Sequence, residues 1–274
     1  MVERQHYYGR LVFDRDAIVR AALRAYVELW LARLDPLERH RFITSSANEW
    51  VGDLQRGAFY NDNREGDYEV VAWTEAGVVG LAYDLGCGPI EQLGLEIQEV
   101  TGGPDDVRAA VPELPNELEP AFLMTVGWLA TGAGHLEGDV LVVYGEKLAG
   151  VGFWLHGDHV GGSFFLFTDP TNAWGAERLA AWGKLRRGRL WMWWNRDHAE
   201  TAEELERTVA APIHAIIDAV TTRRLAGPTE LTPDELATLC PTPPDPKQRF
   251  AVQRRLQKVG ITWSGSPEIP EDPA

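Results

Sequence analysis

Two histidines flank an aspartate in the run His156-Gly-Asp158-His159-Val-Gly161-Gly162. Imidazole nitrogens and a carboxylate are a donor set for zinc, and a metal held by them turns a bound water into a nucleophile near neutral pH. That chemistry requires the backbone to turn sharply, so that side chains at these spacings converge. The flanking residues indicate how it turns. "VGFWL" before the run and "SFFLF" after it are strand material, and glycine punctuates the middle. The pattern predicts a hairpin with "HGDHVGG" as its connection, Asp158 and the glycines supplying the turn.

The same run resembles the second half of the HxHxDHxGG signature of the metallo-β-lactamase superfamily. That resemblance implies a two-metal hydrolase in which His156, Asp158 and His159 are ligands. It covers seven residues of 274. Trp154 stands where the signature has its first histidine, the strand-like "SFFLFTD" stands where the family needs a helix, and no histidine follows His214. His198 and His214, the remaining distant candidates, fall in or beside what reads as a surface helix.

Other chemistries leave fainter traces. No GxSxG, Walker A or GxGxxG pattern occurs. Cys87 in "LGCGP" sits between glycines after a strand, a place that can expose a thiol, but no histidine is marked as its base. Glu96, Glu99, Asp105 and Asp106 form an acidic cluster in a hydrophilic stretch. Carboxyl groups there stay ionised and solvated, a binding feature rather than an acid–base pair. Trp191, Trp193 and Trp194 in "RLWMWWNR" place two indoles on one strand face and one on the other, which suits core packing or an aromatic pocket.

Charge narrows the partners. The net charge of −15 is concentrated: residues 61–150 hold three Lys/Arg against seventeen Asp/Glu, while the flanking parts are close to balanced. Such a segment repels nucleic acid and anionic lipid and steers a cationic protein toward itself. Two distant cysteines, Cys87 and Cys240, suit a reducing compartment. "MVERQHYYGRLVFDRD" has no apolar core of a secretion signal, and the longest apolar runs fall short of the ~20 residues that span a bilayer. The expectation is a cytoplasmic protein with no membrane and no nucleic-acid partner.

The elements that would position these residues follow from periodicity. Val19, Leu23, Tyr26, Trp30 and Leu34 recur at helical steps, with Asp14 or Asp16 as cap and Pro36 as stop. A second helix is expected through "PLERHRFITSSANEWVGDLQRG", antiparallel to the first. "YEVVAWTEAGVVGLAYDLG" predicts a hairpin around Gly77, with strands covered on both faces. A short helix near "IEQLGLEIQEV" and a longer one in "NELEPAFLMTVGWLATGAG", capped by Asn116, come next. Three strands are expected from Asp139 to Asp169 as a meander. "NAWGAERLAAWGKLRRG" then reads as a helix, "RLWMWWN" as a strand, and the segment around Pro212 as a long helix with a kink. The paired valines of "VVAWTEAGVV" and "VVYGEKLAGVG" echo each other. Thr232-Pro-Asp-Glu235 is a capping box, and "DPKQRFAVQRRLQKVG" a basic helix closed by Gly260.

Together these give an α+β protein, a mostly antiparallel sheet of about five or six strands packed by helices, with a C-terminal helical extension. The core domain is placed at residues 1–224, and a Pro-rich linker, short helices and tail at 225–274. The leading expectation is a non-enzymatic protein-recognition module, an acidic immunity- or antitoxin-like inhibitor of a basic effector, without cofactor. The alternatives are a metal-dependent hydrolase on His156, Asp158 and His159, and a small-ligand sensor with a pocket around Trp191, Trp193 and Trp194.

Overall fold

A computed structural model describes residues 14–34, 47–62, 67–84, 108, 111–137, 140–143, 151–162, 211–240 and 245–265. The chain separates into two compact units, residues 1–21 with 46–184 and residues 22–45 with 185–274. Helix α1 (Arg15–Leu31) crosses the division. It starts where the sequence predicts, at Asp14, whose carboxylate accepts from the Ala17 amide at 2.8 Å, and a 3-10 turn (Ala32–Leu34) extends it.

The first unit is built on antiparallel strands β1 (Ala47–Gly52), β2 (Gly57–Asp62), β3 (Asp67–Thr74), β4 (Gly77–Asp84), β7 (Val151–His156) and β8 (His159–Gly161), which lie in that order across one sheet. Alternation decides which side chain goes where. On one face Ala58, Tyr60, Val70, Ala72, Val79, Leu81 and Trp154 meet Leu118, Ala121, Phe122 and Val126 of helix α2 (Glu119–Ala133) and the turn before it. On the other face Trp50, Phe59, Val71, Trp73, Val78, Phe153 and Leu155 are also buried. Both faces being dry explains the near-continuous apolar runs of β3 and β4. Each buried Val, Leu or Phe among them contributes about 1.5–3 kcal/mol.

Gly77 is needed where the sheet is tightest. It has φ 149° and pairs with His156. A Cβ there would lie 1.9 Å from the Leu155 carbonyl oxygen, closer than any side chain tolerates.

Several local expectations are overturned. Residues 47–57 are not helix but the β1–β2 hairpin. Asp53 accepts from the amides of Gln55 and Arg56 at 2.7 and 2.9 Å, a side-chain-closed turn that breaks any helix there. Asn48 and Trp50 face inward while Val51 is exposed, a period of two. The expected meander does not form either: β6 (Val140–Val143) pairs back with β5 (Gly134–Glu137), and β7 pairs with β4. The valine echo therefore does not mark two equivalent hairpins. Asn116 is no cap, lying inside a 3-10 turn (Asn116–Leu118) that Pro115 precedes. The expected elements at 86–107 and 163–199 lie outside the described residues.

The second unit contains α3 (Ala211–Ala226), β9 (Thr229–Leu231), α4 (Pro233–Leu239), α5 (Pro246–Lys258) and β10 (Ile261–Trp263), the two strands pairing in parallel. Pro212 is the second described residue of α3, and the kink expected around it involves residues before Ala211, which lie outside the described residues. The capping box forms as the sequence predicts: Thr232 Oγ1 accepts from the Glu235 amide at 3.2 Å, and Glu235 accepts from the Thr232 amide at 2.9 Å. Gly260, at φ 70°, ends the segment after α5. The boundary expected after residue 224 falls within the last turn of α3.

Candidate functional site at a hairpin tip

His156 and His159 face each other as the last paired residues of β7 and β8. The connection between them is only Gly157-Asp158, tighter than the seven-residue linkage the sequence suggests. Gly157 takes φ 56° while Asp158 stays at negative φ, the pattern of a type II′ turn, which matches strand twist and puts glycine first. The strand "SFFLF", expected as the partner, lies outside the described residues. Gly157, Asp158 and His159 are exposed, and His156 is half-buried.

One bond orients the half-buried ring. His156 Nδ1 lies 2.8 Å from the Ala76 carbonyl oxygen. A carbonyl only accepts, so Nδ1 carries a proton, and in the neutral ring Nε2 is the acceptor nitrogen. This is the tautomer a metal-ligating histidine uses when its other nitrogen is anchored to backbone. Among the described residues, however, no group of three or more His, Cys, Asp or Glu is arranged to hold a metal ion. His156, Asp158 and His159 thus form an exposed polar tip whose base is fixed to the β3–β4 turn.

That turn is itself tied down by a residue the sequence reading passed over. Arg15, in the first turn of α1, donates to the carbonyl oxygens of Thr74 (2.7 Å), Leu54 (2.9 Å) and Gln55 (2.6 Å). A guanidinium has five donors in a fixed fork, so one side chain here joins the β1–β2 loop to the β3–β4 turn. No spacing in the sequence signals this, because the partners are backbone atoms brought together by the fold.

The acidic middle third is described in part. Arg108 donates to both carboxylate oxygens of Glu119 at 2.8 and 2.6 Å and lies 4.6 Å over the Phe122 ring. The hydrogen-bonded guanidinium holds the Glu119 carboxyl below its usual range, against an opposing effect of burial. Trp154 Nε1 donates to the Pro112 carbonyl at 3.0 Å, and Val111, Leu114 and Leu118 pack into the same core. Glu113 and Glu117 point outward from this anchored segment. Glu96, Glu99, Asp105, Asp106 and Cys87 lie outside the described residues, as do Trp191, Trp193 and Trp194.

A second charged group lies in the other unit. The Glu28 carboxylate is only 5% exposed and accepts from Arg24 at 2.6 Å. Arg24 also donates to Asp218 at 2.6 Å, and His214 Nδ1 lies 3.4 Å from Arg24 and 3.8 Å from Glu28. Burial alone would pull the Arg24 guanidinium down; the Glu28 and Asp218 carboxylates outweigh it and hold it above its ordinary value. His214 is 13% exposed, on the inner side of a helix that keeps Ala215, Asp218, Ala219 and Thr222 exposed and so is the surface element its sequence suggests. The clue was available: Arg24 and Glu28 are one turn apart on a helix otherwise apolar on most sides. The group cross-links α1 to α3, and its chemistry is that of a satisfied buried ion pair.

The chain matches no family model, no curated protein and no solved structure. No helix among the described residues is long and apolar enough to cross a membrane.

Proposed function

We propose that the chain is a non-enzymatic protein-recognition module that takes a basic partner on its acidic middle third, in the manner of an acidic inhibitor of a cationic effector. One observation carries the reading: residues 61–150 hold seventeen acidic side chains against three basic ones. A field of that sign accelerates encounter with a cationic surface and disfavours other partners. Glu113 and Glu117 support it, because they project from a segment whose backbone is held by Trp154 and by the Arg108–Glu119 pair. Charges on a fixed support lose less entropy on binding than charges on a loose loop.

The test is capture by the immobilised full-length chain at low salt, followed by salt elution. The expected result is one basic protein retained in stoichiometric amount, released below 0.5 M salt (about the range in which screening removes exposed charge pairs) and lost with Glu113→Lys/Glu117→Lys. Retention unchanged by that reversal overturns the assignment of those two residues, and no basic protein retained overturns the reading. The His156 tautomer supports a rival, a metal-dependent hydrolase on His156, Asp158 and His159. Stoichiometric zinc in the purified protein, lost on His159→Ala, would favour that rival.

A further inference from the structure

The argument against nucleic acid rests on residues 61–150, which belong to the first unit. Helix α5, in the second, has the opposite sign. From Pro246 to Gly265 the chain has five basic side chains and no acidic one. Burial fixes how they are presented. Val252, Gln253, Leu256 and Gln257 turn inward. The Tyr26 hydroxyl donates to the Arg255 carbonyl at 3.0 Å, and the Gln248 side-chain amide donates to the Arg33 carbonyl. Arg255 itself lies 5.0 Å over the Trp30 ring. Arg249 is exposed on the other side of the helix start, and the rest of the outward residues form one straight stripe, Lys247, Phe250, Ala251, Arg254 and Lys258, all exposed. Counted from Lys247 they follow at three, four, seven and eleven positions, which places them on a single face.

We infer that this outward stripe of α5 is a docking face for double-stranded DNA. Three cations along one face, separated by one or two turns, match a polyanion better than they match a few isolated carboxylates. The stripe spans roughly 16 Å at 1.5 Å per residue, and a helix of that size enters the major groove of B-form DNA, about 12 Å wide. The A-form groove of RNA is too narrow for it. The two uncharged members fit the same occupant. Phe250 is 47% exposed, an unusual place for a large apolar ring on an otherwise cationic stripe, with Arg254 6.0 Å from it. Ala251 beside it leaves room for close approach. Both are side chains that contact thymine methyl groups in a groove. Asp245 accepts from the amides of Lys247 and Gln248 at 3.0 and 3.1 Å, so the helix start is already closed and the phosphate contacts fall to Lys247, Arg254 and Lys258.

The test is fluorescence anisotropy of a labelled 20-bp mixed-sequence DNA duplex titrated with the full-length chain. Binding at 50 mM salt is expected to weaken about 40-fold by 200 mM, the slope for three phosphate contacts. Lys247→Glu/Arg254→Glu/Lys258→Glu is expected to abolish it. The neutral Lys247→Gln/Arg254→Gln is expected to lower the salt slope by about two contacts, with circular dichroism showing both variants folded. Phe250→Ala is expected to weaken binding several-fold at unchanged slope. No binding at 50 mM salt, or equal binding by the charge-reversed variant, overturns the inference. Equal affinity for duplex RNA overturns groove docking, and displacement of DNA by polyglutamate at equal charge concentration assigns the stripe to an acidic protein instead. These variants leave Glu113 and Glu117 untouched, so this outcome is read separately from that of the proposed protein partner.

Discussion

The two units hold themselves together by different means. In the first, a sheet buries both faces, and Trp50, Phe59, Trp73, Phe153 and Trp154 contribute large apolar areas in a register set by strand pairing. In the second, short elements bury a core that includes Tyr26, Ile217, Leu256, Ile261 and Trp263 and are joined further by directional bonds: the capping box at Thr232, the two 2.9 Å bonds from Arg223 to Glu235, the Arg24–Glu28 pair and guanidinium groups of Arg33 and Arg255 on the Trp30 ring. Area is forgiving of salt and pH but not of voids. Directional charge pairs tolerate small shape changes yet fail when one partner is removed or neutralised.

Substitutions sharpen that contrast. Trp73 is fully buried, its ring centre 4.9 Å from that of Trp50 and its Nε1 bonded to the Asp53 carbonyl at 2.9 Å. Trp73→Ala is expected to cost about 4 kcal/mol by urea denaturation, equally at low and high salt. Glu28→Ala leaves Arg24 part-buried beside His214 with Asp218 as its carboxylate partner, and is expected to cost about 3 kcal/mol. If Glu28→Ala proves neutral, charge pairing is not what secures the second unit. Thr232→Ala removes the cap acceptor for about 1 kcal/mol.

Acid gives a further test. Burial alone would raise the Glu235 carboxyl; bonds from Arg223 and Thr232 outweigh it and hold it below its usual value. A carboxyl depressed on folding contributes stability that is complete above its unfolded pKa and lost as pH falls through the folded one. Unfolding followed from neutral pH down through the carboxylate range should therefore show a decline that Glu235→Gln flattens. At the small end, Glu113→Lys/Glu117→Lys is expected to change stability by no more than about 0.5 kcal/mol, both positions being exposed.

How much was legible follows the range of the interaction. Helix α1, the β3–β4 hairpin, the capping box and α5 with its glycine stop are set by residues within a few positions of each other, and each stands where the pattern puts it. The β4–β7 and β5–β6 pairings join segments whose local patterns suit several partners, so a meander was the natural but mistaken reading. Residues 47–57 misled for a local reason: "ANEWVGDLQRG" has tolerable helix spacing, while Asp53 and the glycines at 52 and 57 favour a turn. At the hairpin tip the residues were found and the turn was shorter than expected. The Arg15 clamp and the His214 environment depend on partners 39 or more positions away, which no window contains.

The pairing of β4 with β7 has a consequence for how the chain is made. Residues 47–84 supply strands β1 to β4 as consecutive neighbours when they leave the ribosome, whereas among the described residues the next strand of the sheet begins at Val151. Until then one side of β4 has no ladder from β7, and closing so long an intervening segment slows its arrival. Newly synthesised chains are in that interval templates for wrong strand addition, so aggregation during expression should ease when translation is slowed after residue 151 rather than before it.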